Sequence, residues 1–123
     1  MRVLDVSDLA HPVQISELHT QHSFGLSDPG AGDYTIHNPL VVGTDVYLSW
    51  YTDGVRVVST MDPRNPSEVA YFVPPAAQNP VKPAQRNTLT NTTQVWGVAY
   101  EPSTKLVYAS DMNSGLWILK RTK

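Results

Sequence analysis

The chain repeats itself, imperfectly but in register. Arg2-Val3-Leu4-Asp5-Val6-Ser7-Asp8-Leu9-Ala10-His11-Pro12 is echoed 54 residues later by Arg56-Val57-Val58-Ser59-Thr60-Met61-Asp62-Pro63-Arg64-Asn65-Pro66, without a gap. A second echo, at an offset of 61, carries Val46-Tyr47-Leu48-Ser49-Trp50-Tyr51-Thr52-Asp53-Gly54-Val55 onto Val107-Tyr108-Ala109-Ser110-Asp111-Met112-Asn113-Ser114-Gly115-Leu116. A period of this size means stacked copies of one small supersecondary unit, each burying its apolar faces on its neighbours.

The unit is built of strands. Short β-branched and aromatic runs such as Val46-Tyr47-Leu48-Ser49-Trp50-Tyr51, Val55-Arg56-Val57-Val58 and Leu116-Trp117-Ile118-Leu119 are bounded by Gly, Pro, Asn and Asp, the pattern of strands separated by turns. Apolar residues nowhere keep a capped helical period, and 10 prolines punctuate the chain, so no long helix is expected. Nine strands are predicted: 2–6, 13–18, 35–42, 46–51, 55–60, 68–73, 95–100, 106–110 and 116–120. Asp53-Gly54 and Asn113-Ser114-Gly115 supply the positive φ angles of tight hairpins. Asp8 to Pro12 and Asp62 to Pro66 are wider turns in which the Asp bonds the backbone ahead.

Grouped by the repeat, residues 35–73 form a complete four-stranded unit, 1–18 match its last two strands, and 95–120 match its first three. The expected fold is all-β: antiparallel four-stranded meander blades of a β-propeller, one complete and two partial. Long connections at 19–34 and 74–94 join the last strand of one unit to the first of the next, so both fall on the same face. Loops of this length are candidates for recognition as well as simple connection. A propeller ring holds four to eight blades. The phase of the repeat therefore leads us to expect that the natural protein continues upstream, or that copies self-associate into a ring.

Two stretches together resemble the LVIVD-repeat family of bacterial and archaeal β-propeller proteins. One is Val3 to Pro12, a hydrophobic strand running into Asp-Val-Ser-Asp with a Pro following, with its altered copy Val57 to Pro66. The other is the pattern of His37-Asn38-Pro39 before a strand, Ser49 to Val57, and Tyr108 to Leu119. Two departures stand out: Leu9 lies where the family has Pro, and Ser59-Thr60-Met61 replaces Asp-Val-Ser, so the motif Asp is missing from the second copy. The resemblance implies the propeller fold and an extracytoplasmic or cell-surface location. It implies no chemistry. The opening Met1-Arg2-Val3-Leu4-Asp5 is itself no export signal, since an acid stands where an apolar stretch is needed.

Composition excludes several classes. The chain has 123 residues, a single-domain length, with no cysteine and a formal net charge of −2. Disulfides and thiolate chemistry are ruled out, and nothing in the charge favours nucleic acid. No apolar run approaches the roughly 18 residues of a membrane span. The cluster Lys120-Arg121-Lys123 reads as a solvated tail. Nucleophile-elbow, Walker and dinucleotide motifs are absent, and no cofactor is expected.

The residues worth following are few. His19-Thr20-Gln21-His22, with His37 and Asp33, has the ligand types of a metal site, but the spacing is that of exposed loop histidines. His37 opens an inner strand beside Asn38, where propeller side chains reach the mouth of the central channel. Trp50, Trp96 and Trp117 are expected to pack between units, with Trp96 also a candidate contact residue. Asp111-x-Asn113-x-Gly115 has the opening of a calcium loop without its later acids, so it reads as a hairpin. The binding candidates are thus His37, Asn38, Trp96, Asp33 and His22, for a protein or glycan partner. The expected function is a non-catalytic binding or scaffold module. The alternative is an enzyme or metal-binding segment with His37, and with it His22, at the central channel.

Overall fold

The computed structural model describes residues 1–23, 32–78 and 92–122. The middle parts of both long connections lie outside the described residues. Among those described, nine strands and no helix occur: β1 (Arg2–Asp5), β2 (Val13–Glu17), β3 (Asn38–Val42), β4 (Asp45–Ser49), β5 (Val55–Ser59), β6 (Ser67–Phe72), β7 (Val95–Glu101), β8 (Leu106–Asp111) and β9 (Gly115–Lys120). They form three antiparallel sheets in simple sequence order, β1-β2, β3-β4-β5-β6 and β7-β8-β9. No helix among the described residues is long and apolar enough to cross a membrane.

The middle strands of the second sheet, β4 and β5, are buried on both faces, and alternation along β4 explains how. Val46, Leu48 and Trp50 join Val58 in a core against the first sheet, with Met1, Leu18 and Ile36 packed on it. Tyr47 turns the other way and joins Val57 and Val107 in a core against the third sheet. Val55, Val95 and Ala109 extend that second core toward the start of β7. A period of two puts successive side chains on opposite faces, so one five-residue strand serves both interfaces.

The repeat of 54 residues is a repeat of turn geometry. After β1, Asp8 Oδ1 accepts the Ala10 N–H at 3.0 Å, the His11 N–H bonds the Asp8 carbonyl, and the His11 ring lies 2.9 Å from Asp8 Oδ2. After β5, Asp62 Oδ1 accepts the Arg64 N–H at 3.0 Å, the Asn65 N–H bonds the Asp62 carbonyl, and the Asn65 amide donates to Asp62 Oδ2 at 2.7 Å. Asn65 thus does in one copy what His11 does in the other. The missing motif Asp is replaced in the same way. Asp5 Oδ1 accepts the Ser7 N–H at 2.9 Å, and at the equivalent place Ser59 Oγ accepts the Met61 N–H at 3.4 Å. A hydroxyl fills the role, with a longer and weaker bond.

The hairpin at 50–54 corrects one expectation. Its positive φ angles belong to Tyr51 (39°) and Gly54 (78°), not to Asp53 and Gly54. The turn is wider than two residues: the Trp50 N–H bonds the Gly54 carbonyl, while the Asp53 and Gly54 N–H groups bond the Trp50 and Tyr51 carbonyls. Consequently β4 ends at Ser49 and not at 51, and β3 starts at Asn38 and not at 35. The 111–115 turn is the expected hairpin, with Asp111 opposite Gly115 and Gly115 at φ 89°.

The two turn glycines differ in what surrounds them. A Cβ on Gly54 would meet the Phe72 carbonyl oxygen at 2.3 Å, whereas one on Gly115 would meet nothing within 4 Å. Gly115→Ala therefore bears only the cost of a left-handed non-glycine residue, about 1 kcal/mol. Gly54→Ala must also push β6 away, and should lose about 2 kcal/mol or more beyond that. Urea denaturation of the two variants checks the order.

The turn carboxylates carry a pH signature. Asp62 is held below the usual carboxylate range, first by the Asn65 side-chain bond and then by the Arg64 N–H. Asp8 is lowered first by His11 and then by the Ala10 N–H. Groups depressed in the fold support it above their unfolded pKa, about 3.9, and release it as pH falls through the lower folded value. The Arg64 amide resonance, whose acceptor Asp62 has no histidine bonded to it, should therefore hold steady from pH 8 to 5 and move only in more acid solution, as a ¹H–¹⁵N NMR titration would report.

Candidate functional site

The turn at 50–54 is where the chain gathers its polar and aromatic side chains. It stands at the end of the second sheet where β3 begins and β4 ends, and both long connections reach it. Residues 32–34 arrive from the first connection and residues 92–94 from the second.

The aromatic part sits on its solvent side. The rings of His37 and Trp96 stack at 3.7 Å, tilted by 33°, and Tyr51 meets both edge-on, at 5.6 Å from His37 and 6.0 Å from Trp96. Trp96 remains 39% exposed. Its backbone is pinned from below: the buried Ser49 hydroxyl donates to the Trp96 carbonyl at 2.9 Å and accepts the Asn38 N–H at 2.9 Å, tying the start of β3 to the start of β7. Tyr51 owes its left-handed backbone to two bonds on one carbonyl, from the Gly54 and Val95 N–H groups, both 3.0 Å long. A non-glycine residue holds such a conformation only where its surroundings over-determine it, and here the conformation turns the Tyr51 ring toward His37 and Trp96.

Hydrogen bonds through the buried Gln94 join the ends of the two connections. The Gln94 side chain is fully buried, and its Nε2 donates to Asp33 Oδ2 at 3.2 Å, with the Thr52 and Thr92 hydroxyls at 3.4 Å. A carboxylate only accepts, so Asp33 fixes which end of the Gln94 amide faces it. Thr52 closes the link: its hydroxyl accepts the Asp33 N–H at 2.9 Å and its N–H bonds the Asp33 carbonyl. Gln94 Oε1 and His37 Nδ1 are buried without a protein partner among the described residues.

Asp53 anchors the other side of the turn. Its carboxylate is 2% exposed and receives the Thr20 hydroxyl at 2.5 Å, the His22 ring nitrogen at 2.8 Å and Arg56 Nη2 at 3.3 Å. Arg56 bridges on to Glu68 at 3.2 Å and lies over the Tyr71 ring. His22 also stacks on Tyr34, with ring centroids 4.9 Å apart. In the third sheet the buried Asp111 plays a related part: Oδ1 accepts the Asn113 and Ser114 N–H groups at 2.8 and 2.7 Å, and Oδ2 accepts the Gln94 N–H at 2.6 Å.

Of the residues singled out from sequence, His37 and Trp96 come together directly. Asn38 joins them through its backbone, while its side chain is exposed. Asp33 reaches the same turn through Thr52 and Gln94, and His22 through Asp53. His22 is therefore no free loop histidine. Trp50 packs in the core as expected, Trp117 is half-buried against Phe72, and Trp96 departs from them by facing solvent. Among the described residues, no three His, Asp or Glu side chains converge as a metal set requires. Sequence reasoning passed over Tyr51, Thr52 and Gln94; the only sequence hint for them was their closeness to a glycine turn and to the start of a strand. Comparison with protein-family models, curated proteins and solved structures finds no match.

Removing the Asp53 carboxylate should uncouple the first connection from the turn. It leaves Arg56 with a lost buried partner, so Asp53→Ala should reduce stability by about 3 kcal/mol. Thr20→Val, which deletes one donor, should reduce it by about 1 kcal/mol. Chemical denaturation of both variants tests the ranking.

Proposed function

We propose that the chain is a non-catalytic binding or scaffold module built from β-propeller blades, with the second sheet as a complete blade and the first and third as partial ones. The repeated turns, the meander order of the sheets and the resemblance to LVIVD-repeat proteins support this reading. The same resemblance supports an extracytoplasmic or cell-surface setting. A ring of four to eight blades requires more blades than these three sheets.

Recognition falls on the face where the two long connections meet. The observation that carries it is the exposed Trp96 ring stacked on His37 and flanked by Tyr51, on a backbone tied across two sheets by Ser49. Exposed aromatics held rigid lose little entropy on binding and anchor interfaces. The exposed Trp96 ring, with the Tyr51 ring edge-on beside it, suits a glycan or a peptide that presents a flat face of its own. His22 and Asp33 serve here as struts, since each is already bonded inward.

The test is a panel of glycans and peptides titrated against tryptophan fluorescence. A ligand should shift the emission, and Trp96→Ala should weaken binding by at least tenfold, about 1.4 kcal/mol, while the far-UV spectrum stays unchanged. Binding that survives Trp96→Ala intact would remove this face from the account. Turnover of a panel member that depends on His37 or His22 would favour an enzyme instead.

A further inference from the structure

The chain shows, with one of its own side chains, how it holds a guanidinium. Arg56 lies over the Tyr71 ring, 5.0 Å from its centre. At its rim, Nε donates to the Asp53 carbonyl at 2.8 Å, Nη2 to Asp53 Oδ1 at 3.3 Å and Nη1 to Glu68 Oε2 at 3.2 Å. A flat cation thus meets an aromatic ring on its face and oxygen acceptors at its edge. This suits a guanidinium, because the ring face is electron-rich, the N–H donors all lie in the plane, and the group is weakly hydrated.

The aromatic face brings together the same two kinds of group, a ring and a carboxylate. His37 covers one side of the Trp96 indole at 3.7 Å, and 39% of the residue stays open to solvent. Asp33 is exposed. Its Oδ2 accepts the Gln94 amide at 3.2 Å, and its backbone is tied to Thr52 in both directions. Among the described residues its Oδ1 accepts no bond and no cation pairs with it, since the arginine ion pairs go to Asp53, Glu68 and Asp45.

The ring and the carboxylate are neighbours through their supports. Thr52, which holds Asp33, follows Tyr51, whose ring stands edge-on to Trp96 at 6.0 Å. Gln94, which holds the Asp33 carboxylate, stands two residues before Trp96, and Val95 between them is bonded to Tyr51. Charge then chooses among flat ligands. A neutral sugar would use the ring and leave the exposed carboxylate without a counter-charge. A nucleobase would bring phosphates, which Asp33 repels. A guanidinium uses both groups, stacking by its face and pairing by its edge.

We infer that the aromatic face takes an arginine side chain of a partner polypeptide, with the guanidinium on the open part of the Trp96 ring and its N–H groups on Asp33 Oδ1. The inference rests on that face being the recognition surface and names the group it receives.

The probe is a capped peptide, Gly-Ser-Arg-Ser-Gly, titrated into ¹⁵N-labelled protein with the Trp96 indole N–H resonance as readout. It should shift that resonance saturably, with a Kd of about 1–10 mM for a single side chain. The same peptide with citrulline, which keeps the plane and loses the charge, should bind at least about fivefold more weakly, and with Lys, which keeps the charge and loses the plane, about threefold. Asp33→Asn, which retains an acceptor for Gln94, should weaken the Arg peptide about fivefold and leave the citrulline peptide unchanged. If that variant fails to fold, salt makes the same test on the native protein: raising NaCl from about 50 to 500 mM should weaken the Arg peptide at least threefold and spare the citrulline one. Trp96→Ala, read at the Thr52 amide, should weaken the Arg peptide about tenfold. Equal binding of the Arg and citrulline peptides overturns the inference. So does an uncharged peptide or a neutral oligosaccharide that binds more tightly than the Arg peptide and is lost in Trp96→Ala; in that case the recognition face stands and its ligand is of another class. Arg binding that survives Trp96→Ala, or no ligand that moves the Trp96 resonance, removes the recognition face and the inference together.

Discussion

The hairpin at 50–54 is the constraint on which the rest depends. Gly54 presses against the backbone of Phe72, so this turn can be closed only by a residue without a side chain. With Gly54 fixed, the Tyr51 carbonyl takes bonds from both Gly54 and Val95, and the second sheet becomes joined to the third. Thr52 and Asp53, the two residues between, then collect the ends of both long connections through Asp33, Gln94, Thr20 and His22. Loops are entropically expensive to hold still. Here each is tied at the same few residues, which gives the aromatic cluster above them a rigid floor.

Much of the fold was legible because its signals are local. Asp8 and Asp62 bond backbone groups two residues ahead, and the motif that encodes this is contiguous in sequence. The β-branched and aromatic runs at β4 and β5, bounded by turn residues, marked both as strands. The strand order followed from the repeat. Even the apparent defect at Ser59 proved conservative in function, because the turn needs an acceptor oxygen and not a charge.

The site was only half legible, and the reason is distance along the chain. His37 and Trp96 could be named one by one, but their stacking joins residues from different sheets. Asp53 looked like half of a turn motif, and its role as a buried anchor depends on partners some thirty residues upstream in Thr20 and His22. Tyr51 looked like a strand residue; nothing local signals that its carbonyl will be bonded by Val95 and its backbone forced left-handed. Local chemistry tells which residues turn the chain, and tertiary chemistry tells which of them meet.

The three sheets also differ in how far their needs are met. The second has its middle strands β4 and β5 covered on both faces. Its outer place is filled by β6, whose Ala70 joins the core shared with the third sheet and whose Phe72 ring lies 5.5 Å from that of Trp117. Among the described residues β9 has no such outer neighbour, and Leu116 and Ile118 are exposed. One sheet thus supplies the apolar cover that its neighbour needs, which is how stacked units share a core.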